Sequence, residues 1–256
     1  MAYVELLWTR KMFAWYAGFV VVLGFASAAA SNAFPSKLHA SAQGLPLTWL
    51  FGISAYATCI MTTMIAGTLN RDREHLAYIW TRPLRRERVA FEYMLVDLAT
   101  ILAAFALVAL TAVAVTNVFP GTHVVVDPDA WRSLVSYVAL PLMWYGIIEA
   151  ATSWNALKAG AAAGISWAVF WALLLISAVQ FPAPLNVLIA VLNIFNPLAY
   201  FVTRHGHNIL VDPVSLSHVA SRHIIPLNDN VQTVLAYAIF LGSCVVATYA
   251  WRRMEA

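Results

Sequence analysis

The chain has 256 residues, 62% of them hydrophobic and 11% charged, with a mean hydropathy of +0.74. Soluble domains carry roughly 25% charged residues, so these values exclude an ordinary soluble enzyme. The net charge of +3 is what basic cytoplasmic loops give a membrane protein, and with no basic arm or base-stacking module beside it there is no nucleic-acid partner to expect.

The charges are clustered and leave apolar runs of about 20 residues, enough to cross a hydrocarbon core of roughly 30 Å. The expected fold is an all-α integral membrane protein with six transmembrane helices, forming one membrane domain over residues 1–256. Residues 1–11 begin with Tyr3, Leu6, Leu7 and Trp8 beside Glu5 and Thr9, a mixture that suits a short helix in the headgroup region. The spans are read at 12–34, 47–69, 93–119, 133–153, 159–180 and 231–251. Arg10 and Lys11 before the first run, with Ala28-Ala29-Ala30 near its end, also fit a signal peptide; the reading adopted is a retained span. Pro35, Pro46, Pro120 and Pro182 lie at or near the ends of runs, where a missing N–H costs least, while Pro141 lies inside the fourth and predicts a kink.

The cytoplasmic loop expected over 70–92 is richer than topology requires. It reads Asn70-Arg71-Asp72-Arg73-Glu74-His75, then the apolar Leu76, Ala77, Tyr78, Ile79 and Trp80, then Thr81-Arg82-Pro83-Leu84-Arg85-Arg86-Glu87-Arg88. The first part suits a short helix along the membrane face that stops before Pro83, because the residue preceding a proline disfavours the α region. Such a helix offers a surface to a partner. The competing reading is that the arginines only fix topology and bind anionic headgroups, at about 1 kcal/mol for each.

Asp97 in the third span and Glu149 in the fourth are intramembrane carboxylates. A centrally placed Asp costs about 2.5–3.5 kcal/mol on insertion scales, so such groups face the bundle interior or water. Pairing with Lys158 or a loop arginine is the expected role, ahead of a gate or proton relay. Cys59 and Cys244 fall in apolar spans and read as small buried hydrophobes. Trp49, Trp131 and Tyr137 fit interfacial anchoring, and Trp144, Trp154, Trp167 and Trp171 fit ordinary packing.

After the fifth span, an outer re-entrant segment and loop are expected over 181–230. Residues 184–202 are apolar enough for a further crossing, but Asn186, Asn193, Asn196 and Pro197 interrupt them. Broken or re-entrant helices packed against the bundle fit better, because irregular backbone at membrane depth must be covered by protein or face water. Asp212-Pro213, Pro226 and Asn228-Asp229-Asn230 then mark turns. His39, His123, His205, His207, His218 and His223 fall on this outer side without a tight ligand set, so no metal is expected.

Orientation follows the basic residues. With the N-terminus inside, Arg10, Lys11, Arg71, Arg73, Arg82, Arg85, Arg86, Arg88, Lys158, Arg252 and Arg253 are cytoplasmic, eleven of the fifteen in the chain. Lys37, Arg132, Arg204 and Arg222 remain outside. An N-in/C-in topology is the expectation.

Taken together and in order, several of these elements resemble the ABC-2 type ABC transporter permeases. The 70–88 segment looks like their cytoplasmic loop between the second and third helices, with Thr81-Arg82-Pro83 and the basic turn Arg85-Arg86-Glu87-Arg88 in the matching place. Asn196-Pro197-Leu198-Ala199-Tyr200 looks like the Asn-Pro element of their fifth-to-sixth connection. Where family members often follow the basic turn with Gly-Lys, this chain has Phe91-Glu92-Tyr93.

The resemblance implies a permease of an ATP-driven exporter in the inner (plasma) membrane, moving a hydrophobic or amphipathic substrate. It implies two copies of a cytoplasmic ABC ATPase subunit as partners, and a second permease copy or paralogue. No G-x-x-x-x-G-K-[ST] loop occurs in the chain. ATP and Mg would therefore belong to the partner, with no cofactor and no catalytic residue here. Arg71, Asp72, Arg73, Glu74, His75, Leu76, Tyr78, Ile79 and Trp80 would couple to the ATPase. The alternatives are a membrane enzyme or assembly subunit, and a scaffold that recruits a soluble partner through 70–88.

Overall fold

The computed structural model describes residues 2–33, 44–67, 86–118, 122–155, 159–177, 179, 181–205, 225 and 227–253. The described chain is almost entirely helical: α1 (Ala2–Ala33), α2 (Leu47–Ile65), α3 (Arg86–Val118), α4 (Ala130–Asn155), α5 (Ala159–Ser177), α6 (Ala183–Asn193), α7 (Pro197–His205) and α8 (Asp229–Arg253). Among these residues, six helices are long and apolar enough to cross a membrane: α1 to α5 and α8. The protein is a multi-pass all-α membrane protein.

Its surface agrees with that solvent. Trp15, Phe19, Val22 and Leu23 on α1 and Val234, Leu241 and Val245 on α8 are exposed. Apolar patches of this kind are a liability in water and match a lipid environment. Polar groups are turned inward instead. On α2, Ser54, Thr58 and Thr62 are buried four residues apart, and their hydroxyls donate to the carbonyls of Leu50, Ser54 and Thr58 at 2.6, 2.6 and 3.0 Å. The helix thus satisfies its own hydroxyls without water.

α1 runs unbroken from Ala2, so the segment expected as a separate interfacial helix and the first span form one helix. No proline and no glycine precedes Gly18 to interrupt it. Pro141 is accommodated within α4, which continues to Asn155.

By compactness the chain divides into two units, one containing Met1–Ile65 and Phe91–Pro141, the other Ala66–Ala90 and Leu142–Ala256. In the first, α1 packs on α2, and two short strands, β1 (Leu45–Pro46) and β2 (Val124–Val125), pair in parallel. This pairing brings the Asp127 carboxylate to the start of α2, where it accepts from the Thr48 N–H at 3.1 Å and the Thr48 hydroxyl at 2.7 Å. A negative group there caps orphan donors and complements the helix dipole. Phe51 and Phe105 meet with ring centroids 6.4 Å apart.

The second unit has an aromatic core. Trp144 is fully buried, its ring centroid 4.3 Å from Trp167 and 5.1 Å from Phe170, and its indole N–H donates to Ser166 Oγ at 3.0 Å. Trp171 is exposed, whereas Tyr137, expected as an interfacial anchor, is buried. Trp131 is exposed at the first turn of α4.

Candidate coupling and re-entrant sites

Among the described residues, a polar construction of several linked side chains lies between α5 and α8 in the chain. Pro182 precedes α6, and Asn186 closes a ring with Phe181: its amide donates to the Phe181 carbonyl at 2.7 Å, and its Oδ1 accepts the Phe181 N–H at 3.2 Å. α6 has 11 residues, about 16 Å of rise and too short to span alone. It meets α7 at a bend of 106°.

Asn193 and Asn196 hold that bend and are buried. The Asn193 amide donates to Ser177 Oγ at 2.6 Å, which fastens the bend to the end of α5. The Asn196 amide donates to the Phe170 carbonyl at 3.0 Å and to Asn193 Oδ1 at 3.1 Å. Asn196 Oδ1 accepts the Leu198 N–H at 3.1 Å. Asn196 is therefore the N-cap of α7 with Pro197 at the first helical position, the local arrangement that those two residues favour. Tyr200 closes the unit by donating from its hydroxyl to the Ile194 carbonyl at 2.8 Å. Of the asparagines expected to interrupt a span, Asn193 and Asn196 thus fasten a bent helix pair to α5, while Asn186 closes its start, and α7 also packs on α8.

Of the residues expected to couple to a partner, Arg71, Asp72, Arg73, Glu74, His75, Leu76, Tyr78, Ile79, Trp80, Arg82, Pro83 and Arg85 lie outside the described residues, as does Lys158. Arg86 opens α3, and Arg88 is exposed on its first turn. The two flanks of this segment are described. At its start, α2 ends at Ile65 and the chain turns through Gly67, whose φ of 84° is a left-handed value that glycine adopts without strain. The Gly67 N–H donates to Glu149 Oε1 of α4. At its end, Glu87 on α3 pairs with Arg252 on α8 at 3.4 Å, both side chains more than half exposed.

Glu149 is completely buried toward the C-terminal end of α4, and the Thr152 hydroxyl donates to the carbonyls of Ile148 and Glu149 at 2.9 and 3.1 Å. About one turn earlier, Gly146 allows close approach of α8. A Cβ placed there would lie 3.0 Å from the Phe240 carbonyl oxygen and 3.1 Å from Ser243 Cβ. Asp97, on α3, is also fully buried. The structure thus places Glu149 beside the loop flank and Asn193 with Asn196 and Pro197 at the bend. Gly67 is a site residue that the sequence reading does not single out, although a glycine just past an apolar run is a helix-stop signal.

Among the described residues, no group of three or more His, Cys, Asp or Glu is placed to hold a metal ion, and both cysteines are free. Compared with known protein families and with curated proteins, the chain matches none.

Proposed function

We propose that the chain is the membrane-spanning permease subunit of an ATP-driven ABC-2 type exporter. The observation that carries the reading is the order of its parts. A basic and apolar segment, 70–88, stands between the second and third candidate spans, and a bent Asn-Pro helix pair stands between the fifth and sixth.

On this reading both termini and the 70–92 loop are cytoplasmic, α6 and α7 are a re-entrant pair on the outer side, and the membrane is the cell's inner (plasma) membrane. Two such subunits, identical or paralogous, enclose a path for a hydrophobic or amphipathic substrate. A separate cytoplasmic ATPase, in two copies, binds ATP and Mg and supplies the energy. This chain performs no hydrolysis. Its task is to turn movement of the ATPase into rigid-body movement of helices, with Leu76, Tyr78, Ile79 and Trp80 as the docking surface and the charged Arg71, Asp72, Arg73, Glu74 and His75 beside it.

Replacing Leu76 and Tyr78 with glutamate tests the docking assignment. Charge in an apolar contact leaves it unpaired and desolvated, so the double variant should insert in the membrane at wild-type level yet lose the ATPase on purification. An intact complex in the variant would refute the assignment.

A further inference from the structure

The geometry points to Glu149 as the positioning residue that ties the start of the coupling segment to α4, and so passes movement of that segment to the α4–α8 pair. This rests on the exporter reading for its purpose, but its structural basis is independent of it.

At a helix end closed by a left-handed glycine, the glycine N–H ordinarily returns to a carbonyl of the helix's own last turn. Here the Gly67 N–H instead donates to the carboxylate of Glu149, 82 residues along the chain. Helix dipoles favour cations at that end, not carboxylates, and a buried carboxylate is costly at membrane depth. Neither term explains an acidic group here. What Glu149 provides is reach: a long side chain with an acceptor at its tip, aimed at the backbone where the coupling segment begins.

The helix that carries this anchor is itself braced. Gly146, three residues earlier and so on an adjoining part of the same face, lets the backbone of α8 come close at Phe240. α8 ends at Arg253, and its Arg252 pairs with Glu87, just past the other end of the segment. Both flanks of 68–85 therefore return to α4 and α8. The Glu87–Arg252 pair is exposed, and such pairs contribute little alone, so the buried contact at Glu149 carries the inference. A displacement of the docking segment pulls on Gly67, and through Glu149 on α4 with α8 beside it.

Two conservative variants separate reach from charge. E149Q keeps the length and an acceptor oxygen and loses the charge; E149D keeps the charge and is one methylene shorter. The full chain is purified with the ATPase that accompanies it, reconstituted in lipid nanodiscs, and followed by two readouts.

In hydrogen–deuterium exchange, E149D should raise exchange at the amide of Gly67 by about fivefold, as loss of one hydrogen bond implies, while E149Q stays near wild type. In ATP hydrolysis, the permease-dependent change in rate should fall severalfold in E149D and be largely kept in E149Q. The reverse order of the two variants, or wild-type behaviour in both, overturns the inference. Raised exchange in E149D with an unchanged hydrolysis response also overturns it, leaving a local fastening and an intact exporter reading. Absence of any ATPase from the wild-type preparation removes the exporter reading itself, and the transmission role with it.

Discussion

Asn196 does three things with one side chain: it caps α7, holds Asn193, and donates to a carbonyl of α5. Replacement by alanine removes the cap and leaves buried acceptors without their donor, a combined cost of about 1–3 kcal/mol. Asn196→Ala should lower the thermal midpoint of the detergent-solubilised protein. Asn196→Asp, which keeps the capping oxygen but brings a carboxylate against the Phe170 carbonyl and Asn193 Oδ1, should lower it further. A wild-type midpoint in both would mean that the bend is held by apolar packing alone. At this scale the sequence is partly legible. Asn196-Pro197 reads as an interruption because both residues have strong local preferences. The α5 partners of the two asparagines are not legible, since Phe170 meets Asn196 and Ser177 meets Asn193 only when α6 and α7 fold back on α5.

The spans are the most legible elements, because an apolar run long enough to cross a bilayer has few alternatives in water or lipid. All six expected spans correspond to helices, and the differences lie at their ends. α2 stops at Ile65, and α3 begins at Arg86, in the basic turn that hydropathy assigns to a loop. Arginine and glutamate are good helix formers, so a helix extends past its apolar section. Packing between helices is less legible. Glycines within the spans look alike in sequence, yet a Cβ at Gly146 would press on α8, while one at Gly18 or Gly164 would meet nothing within 4 Å. Gly146→Leu should therefore drive α4 from α8 and destabilise by about 1–3 kcal/mol, whereas Gly18→Leu should have little effect. Thermal unfolding of the two variants side by side checks this, and equal midpoints would contradict the α4–α8 packing.

For the whole molecule, the inward-turned hydroxyls and outward-turned aromatic and aliphatic side chains follow from one fact: lipid supplies no hydrogen bonds. Composition alone anticipates that arrangement. Orientation and function rest on subtler features, the asymmetry of basic residues and the order of the 70–88 and 184–202 segments. A single cysteine at Arg85 should resist a membrane-impermeant thiol reagent added to intact cells, and one at His207 should react. Labelling of the first would reverse the proposed topology. The deeper claim is that energy comes from a separate subunit, and it is tested most directly by purifying the protein in mild detergent with its native companions and identifying them by mass spectrometry. The account predicts an ATPase subunit at about equal stoichiometry, as two permease and two ATPase subunits per transporter require; a preparation that keeps other known membrane complexes intact but contains no ATPase would contradict it.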